Sequence, residues 1–268
     1  MEQKIEKSIA IIRKSENLAL SLQPDLGIFL AFSGGKDSAC VLELAKMAGV
    51  KFKAFYSVTG IDSPMNIKYI RQYFPDVEFI HPKKNYLQLV EKKGLPMIQT
   101  RFCCERLKER IGAGTVMLDG VRAEESRKRA KYVEVMVRSR RKENIEKGRN
   151  RTIEEIEAAS HRCIRGRDRV DVHPILEWTE EDVWQFLKDR KIPINPCYQK
   201  TGRVGCMYCP FASKRQLEMY EEEYPLYFKR LMLALERFWE KKQIKGIKDA
   251  DDYYKWWKSR ITIEKYSR

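Results

Sequence analysis

No uncharged apolar run in the 268 residues approaches the roughly 18 residues a bilayer-spanning helix needs, so no membrane partner is expected. A secretory start is also missing. Met1-Glu2-Gln3-Lys4-Ile5-Glu6-Lys7 mixes acids and bases where a signal peptide would place a basic start and a solid apolar block, and the expected location is the cytoplasm. Seven cysteines are too few and too oddly counted for a disulfide scaffold, and in a reducing compartment close pairs of them bind metal or react. Histidine is scarce and scattered, at His81, His161 and His173, and only His173 falls toward a strand end. The chain lacks internal repeats and low-complexity linkers. It is also short of acid, with 38 Asp+Glu against 53 Lys+Arg, and the net charge of +15 favours a polyanionic partner such as a nucleotide or nucleic acid.

With 43% apolar residues the chain can bury a core. Ile5, Ile9, Ile12 and Leu20 follow helical spacing over residues 4–22, ahead of Pro24. Gly27 to Phe32 reads as a strand buried on both faces. It is followed by a helix over 39–48, then strand 52–58, helix 65–74, strand 77–81, helix 86–93, strand 116–121 and a strand-like piece over 170–176. Such alternation predicts a parallel sheet with helices on both faces and ligands at the carboxyl ends of the strands. Thr179 is the expected N-cap of a further helix with Asp182 at its third position. After Cys209-Pro210 the chain reads as two or three helices rich in Tyr, Trp and Phe. The division expected is an α/β nucleotide-binding domain over 1–195 and a cysteine loop with helices over 196–268 packed on it. Trp184, Trp239, Trp256 and Trp257 are expected to pack in the interior, and Cys40 to be core.

Ser33-Gly34-Gly35-Lys36-Asp37-Ser38 lies between a strand and a helix. Its glycines let the backbone turn tightly and offer N–H groups to an anion, and the helix amino terminus adds partial positive charge. Lys36 contributes a cation, Ser33 and Ser38 hydroxyls, and Asp37 a carboxylate for Mg2+ bound to phosphates. The spacing is not the GxxxxGK[ST] of ordinary NTPases. The hexapeptide resembles the pyrophosphate loop of the ATP pyrophosphatase superfamily, which is similar to the adenine nucleotide alpha hydrolases. That resemblance implies binding of ATP with Mg2+, and cleavage between the alpha and beta phosphates to adenylate a substrate.

Cys103 and Cys104 are adjacent, and Cys206-Met207-Tyr208-Cys209 forms a CxxC knuckle. Four thiolates in two close pairs suit Zn2+ or an iron–sulfur cluster. An adjacent pair is an awkward chelate for one small ion, which favours a cluster, with zinc as the other metal. Together with the loop, these residues resemble the phosphoadenosine phosphosulfate reductase family over most of the chain. The resemblance extends to Thr59-Gly60 at a strand end and to Gly120-Val121-Arg122-Ala123-Glu124-Glu125-Ser126-Arg127-Lys128-Arg129. It continues through His173 to Trp178, Asp182-Val183-Trp184, Asn195-Pro196 and Arg203-Val204-Gly205-Cys206. It implies that Ser33 to Ser38, Thr59, Gly60, Arg122, Ser126 and Arg129 bind the adenine nucleotide or sulfonucleotide. It also implies that Cys103, Cys104, Cys206 and Cys209 hold a [4Fe-4S] cluster, and that the fold is the doubly wound adenine nucleotide alpha hydrolase-like one with a helical extension.

Two departures bear on the reaction. Sulfonucleotide reductases carry a catalytic cysteine in a carboxyl-terminal tail, whereas here the last cysteine is Cys209. Their phosphate loop has also lost the lysine-containing form, whereas Lys36 and Asp37 stand here as in ATP-cleaving relatives such as the ATP sulfurylase small subunit and the DNA phosphorothioation enzymes. Val58 replaces the family's usual Asp before Thr59. The expectation is therefore an ATP pyrophosphatase-type sulfurtransferase that adenylates an acceptor, with a cysteine desulfurase as sulfur donor. A phosphoadenylyl- or adenylyl-sulfate reductase is the alternative, and a non-catalytic nucleotide-binding component of a modification or defence complex the third. Lys36, Asp37 and Cys197 are the candidate catalytic residues, Cys197 for its closeness in sequence to the knuckle; Cys163 is a second lone thiol.

From Arg122 to Arg169, 48 residues hold 16 Lys+Arg and 9 Asp+Glu, a net of +7. Arg122 and Arg129 suit a phosphate or sulfate. The remainder of a helical insert at about 130–169, with Arg138, Arg140, Arg141, Lys142, Arg149, Arg151, Arg162, Arg165 and Arg167, is more cationic than one nucleotide requires. It reads either as a clamp for a nucleic-acid backbone or as a solvated face.

Overall fold

The computed structural model describes residues 1–138, 152–158 and 168–266. Of the residues singled out in the basic insert, Arg140, Arg141, Lys142, Arg149, Arg151, Arg162, Arg165 and Arg167 lie outside them, with His161 and Cys163. The chain divides into two compact units. The first comprises 1–56, 65–80 and 110–204; the second comprises 57–64, 81–109 and 205–268.

The first unit is built on a six-stranded sheet ordered β3-β2-β1-β4-β6-β5. The strands are β1 (Ile28–Phe32), β2 (Phe52–Ser57), β3 (Glu78–Ile80), β4 (Val116–Leu118), β5 (Val135–Arg138) and β6 (Arg169–Val172). β1 pairs in parallel with β2 and β4, and β4 with β6, while β5 runs antiparallel to β6. Ile28, Leu30, Val116, Leu118, Val170 and Val172 have no exposed surface; β1 and β4 are accordingly continuous apolar runs, while β6 alternates and buries Arg169 and Asp171 as an ion pair at 2.6 Å. The chain leaves β1 for β2 on one side and later enters β4 on the other, so the strand order reverses at β1. A crevice is thereby set at its carboxyl end.

Helix α1 (Glu2–Leu22) buries Ile12, Leu18 and Ala19. Helix α2 (Lys36–Ala48) opens directly after the glycines and ends on Gly49, whose φ of +71° favours glycine. Helix α3 is Pro64–Tyr73. Among the other helices, α4 is Tyr86–Lys93, α5 Phe102–Leu107, α6 Ile153–Ala158, α7 Glu180–Asp189 and α8 Cys197–Thr201. Thr179 caps α7 as expected, its side chain accepting from the Asp182 N–H while Asp182 accepts from the Thr179 N–H.

The second unit packs α4 and α5 with α9 (Lys214–Glu223), α10 (Pro225–Trp239), α11 (Ala250–Ser259) and α12 (Ile263–Tyr266). Its core holds Val90, Leu217, Leu231, Leu235, Phe238, Tyr253 and Trp257. Buried polar edges are matched: Trp257 Nε1 donates to Pro96 O at 2.7 Å and Tyr86 donates to Tyr208 O at 3.0 Å. Trp239 and Trp256 pack on this core, as expected, and Cys40 of the first unit is fully buried.

Candidate functional site: a phosphate loop and a four-thiol cavity

Ser33 to Ser38 turns from the end of β1 into the first residues of α2. The loop is internally braced. Ser38 Oγ donates to Gly35 O at 2.9 Å and accepts from the Ser33 N–H at 3.2 Å, and Gly35 N–H donates to Ser33 Oγ at 3.2 Å. Gly34 has φ +77°, and a Cβ there would stand 2.3 Å from Asn66 Oδ1. Only glycine fits. Asn66, on α3, donates to Ser33 O at 3.1 Å, while Asn195, 2% exposed, donates to Gly34 O at 2.8 Å and to Asn66 Oδ1 at 2.7 Å. Two carboxamides therefore hold the loop's carbonyls, while the Ser33 and Gly35 N–H groups bond the loop's own hydroxyls.

The charged groups form a chain across the loop. Lys36 Nζ lies 3.0 Å from Asp37 Oδ2 and 3.6 Å from Glu180 Oε1 at the start of α7. Asp37 Oδ1 accepts from Arg122 Nε at 2.7 Å, and Arg122 Nη1 donates to Glu124 Oε2 at 2.6 Å. Glu124 Oε2 in turn accepts from the Glu180 N–H at 2.8 Å. Burial works against the Arg122 charge, yet the Asp37 and Glu124 carboxylates hold its pKa above the ordinary value. Gly120 packs against the first turn of α2, where a Cβ would stand 2.8 Å from the Asp37 backbone.

Lys36, Asp37 and Arg122 are thus brought together with the loop. Ser126 and Arg129 are engaged locally: Arg129 N–H donates to Ser126 Oγ at 3.2 Å, and the Arg129 guanidinium pairs with Glu125. Thr59 and Gly60 fall in the second unit, where both N–H groups donate to Asp62 Oδ2, at 2.7 and 3.1 Å. Cys197, 4% exposed, opens α8 with its N–H on Asn195 Oδ1 at 2.9 Å. His173, fully buried, lies 2.6 Å through Nδ1 from Asp119 Oδ1 and stacks on Tyr132.

Cys103, Cys104, Cys206 and Cys209 line one small cavity of about 20 Å3 in the second unit, with Thr59, Tyr86, Tyr208 and Lys108. Cys103 and Cys104 sit on α5. The knuckle is pinned by Met207 N–H on Ile61 O at 3.0 Å and by a bridge between Asp62 and Cys206. Met207 and Tyr208, between the thiols, have no exposed surface. Arg260, at φ +61° beyond α11, donates to Ala212 O at 3.2 Å and reaches Cys209 O at 3.5 Å while lying over the Trp257 ring. The hydrogen bond from Cys103 lowers the Cys104 thiol pKa, aided by Lys108 and Arg101, and the same bond raises that of Cys103. The Cys206 sulfur raises Lys108, with Asp62 in support. Negative charge is thus favoured on Cys104, whereas burial raises Cys206 against the pull of Lys108. Among the described residues no three His, Cys, Asp or Glu side chains are placed to hold one metal ion, so the thiols share a cavity without meeting at a single-ion centre.

Sequence reasoning missed Asn66, Glu180, Tyr198, Asp62 and Lys108. Each lies close to a residue singled out above, Asn66 and Asp62 to Thr59-Gly60, Lys108 to Cys104, Tyr198 to Cys197 and Glu180 to Thr179, but none belongs to a motif of its own.

Residues 27–212 match the phosphoadenosine phosphosulfate reductase domain. An uncharacterized protein of Methanocaldococcus jannaschii is 27% identical over 244 residues, covering 87% of this chain and 53% of that protein. Sulfate adenylyltransferase subunit 2 of a Sulfurovum species is 26% identical over 204 residues, covering 72% of this chain and 62% of that one. The chain thus spans between half and two thirds of the length of these curated relatives. A solved U34-tRNA thiolase from Methanococcus maripaludis, with its [4Fe-4S] cluster, aligns with TM-score 0.47 at 15% identity, over 91% of this chain and 82% of that one. Likeness at that level carries no functional argument. The domain match extends over more than two thirds of the sequence and takes in the loop, both cysteine pairs and Arg122, and by it the chain belongs to the phosphoadenosine phosphosulfate reductase domain family.

Proposed function

We propose that the chain is an ATP pyrophosphatase-type sulfurtransferase. One observation carries this reading: a braced phosphate loop that keeps Lys36 and Asp37, with the Asp37 carboxylate held by the buried Arg122. Mg-ATP enters as substrate, its phosphates on the N–H side of the loop and on Lys36, its metal beside Asp37. An acceptor oxygen attacks the alpha phosphorus, and the bond to the beta-phosphate oxygen breaks. Pyrophosphate leaves with that electron pair and the acceptor is adenylated. The terminal sulfur of a donor persulfide, supplied by a cysteine desulfurase, then displaces AMP. A thiol cleaves the resulting disulfide, leaving sulfur on the acceptor and a new disulfide between the thiol and the donor. The acceptor is nucleic acid, supported by the net +7 of the segment 122–169.

The four thiols suit a [4Fe-4S] cluster in donor chemistry, in sharing one cavity, and in having Lys108 and Arg101 beside them to offset its negative charge. When bound, the cluster supplies a polarisable iron–sulfur centre. Cys103, Cys104, Cys206 and Cys209 would hold it as thiolates; as a free thiol Cys206 donates to Thr59 Oγ1 at 3.7 Å.

The family match favours one competitor, a sulfonucleotide reductase using the same pocket. Incubation with ATP and magnesium, and separately with adenylyl and phosphoadenylyl sulfate, distinguishes them. The proposal expects pyrophosphate from the first and no sulfite from the others. Sulfite without pyrophosphate would put the reductase in its place.

A further inference from the structure

The first residues of a helix carry N–H groups with no partner inside the helix, and at a phosphate loop these are the groups an anion takes. In α2 the Lys36 N–H is already engaged: it donates to the hydroxyl of Tyr198 at 2.8 Å. The contact is close against the loop, since a Cβ on Gly35 would stand 3.4 Å from the same oxygen.

The backbone that carries Tyr198 is fixed. Its own N–H donates to Asn195 O at 3.1 Å, and the Gly202 N–H donates back to Tyr198 O at 3.0 Å, closing α8 around it. Asn195 is bonded in turn to the Gly34 carbonyl, so the segment 195–198 grips the loop at two points, Gly34 O and Lys36 N–H. The Trp184 ring stands edge-on to the phenol at 5.1 Å. A group fixed this firmly suits a permanent member of a binding cradle better than a plug that must leave when a ligand arrives.

The phenol oxygen spends a lone pair on the Lys36 N–H and keeps its hydrogen. We propose that Tyr198 is a phosphate ligand of the loop, accepting from the Lys36 N–H and donating its own hydrogen to a beta- or gamma-phosphate oxygen of the bound nucleotide. The chain N–H to O–H to phosphate carries the helix's partial positive charge outward by one hydroxyl, and each bond polarises the next. Burial raises the Tyr198 pKa to about 12, so the hydroxyl keeps that hydrogen at neutral pH. Lys36 Nζ, on the same residue, adds the point charge that a neutral donor lacks. The inference rests on reading Ser33 to Ser38 as the ATP loop.

The test is calorimetry of inorganic pyrophosphate and of ATP, each with magnesium, on the parent and on Tyr198→Phe, which keeps the ring and its packing on Trp184. Binding of both ligands is expected to weaken about tenfold, as for one lost hydrogen bond to a charged group. The rise in melting temperature on adding pyrophosphate, measured against each protein's own unliganded value, should shrink in the same direction. Equal affinities in the two proteins would reduce the phenol to a helix cap and overturn the proposal. Tighter binding by the variant would also overturn it, making the phenol a competitor for the Lys36 N–H. A parent that binds neither ligand would instead remove the ATP-loop reading, and this inference with it.

Discussion

The Arg122 guanidinium, with its side chain 4% exposed, donates through Nε to Asp37 Oδ1 at 2.7 Å. Removing one partner of a buried ion pair leaves the other uncompensated, and Asp37 keeps only part of its solvent and Lys36. Arg122→Leu is therefore expected to cost about 2 kcal/mol and to lower Tm by about 4–8 °C. It should also weaken ATP at least tenfold, through loss of the group that aims Asp37. Melting curves and calorimetry check both; an unchanged Tm would mean the pair contributes nothing to the fold.

Asn195→Ala removes donors from Gly34 O and Asn66 Oδ1 at a site 2% exposed. The expected loss is about 3 kcal/mol, the penalty for orphaning two buried acceptors, with a weaker ATP complex. Asn195→Asp, which sets an oxygen against both acceptors, should lose at least as much by chemical denaturation.

Glu180 holds one of the two carboxylates beside Lys36 Nζ, at 3.6 Å and half exposed. Its Gln variant frees the ammonium for phosphate without removing a donor from the loop. ATP affinity should rise about two- to fivefold at low salt, the range of an exposed pair, and the gain should shrink as salt increases.

Protein purified without oxygen should be brown and carry about four irons per chain. Cys103→Ser, Cys104→Ser, Cys206→Ser and Cys209→Ser should each lose the colour and some thermal stability while keeping ATP affinity, because the loop lies in the other unit. Iron, sulfide and zinc analysis decides between cluster and zinc.

Burial raises Tyr198 and Tyr266 to about 12 and pushes Tyr69, Tyr86, Tyr208 and Tyr254 up as well. The unfolded chain releases these protons near pH 10 and the folded chain later, so the folded state holds more protons above that point. Their contribution to stability is fully present below about pH 10 and is lost as pH rises from about 10 through 12. Tm should fall steeply above pH 10, with the phenolate absorbance of these six tyrosines appearing together with unfolding. Phenolate signal from them appearing well before unfolding would contradict it.

What the sequence made legible was whatever lies close along the chain. The hexapeptide, the adjacent Cys103-Cys104, the Cys206 to Cys209 knuckle and the Thr179 cap each span a few residues, and their chemistry can be read where they stand. Tyr198 could not be found that way, because its partner Lys36 is 162 positions distant and only folding joins them. The same holds for Asn195 on Gly34 and Glu180 on Lys36. β5 is hard to read because its four residues sit in a run dominated by charge, and α5 because the six residues Phe102–Leu107 are too few to show a helical period. Thr59, in the segment expected to contact the nucleotide, stands beside Cys206, which no spacing rule anticipates.

The second unit is sewn from three pieces, 57–64, 81–109 and 205–268, with the first unit's residues 110–204 emerging between them. During synthesis Cys103 and Cys104 leave the ribosome about a hundred residues ahead of Cys206. For that interval the first pair and the apolar face of α4 have no partner. The sheet strands can pair while the thiols wait, so the second unit closes late and any iron is loaded after the knuckle is made. Anything that slows synthesis between residues 110 and 205 lengthens the time two adjacent thiols stand exposed, and the nascent chain, more than the finished protein, is where oxidation should strike.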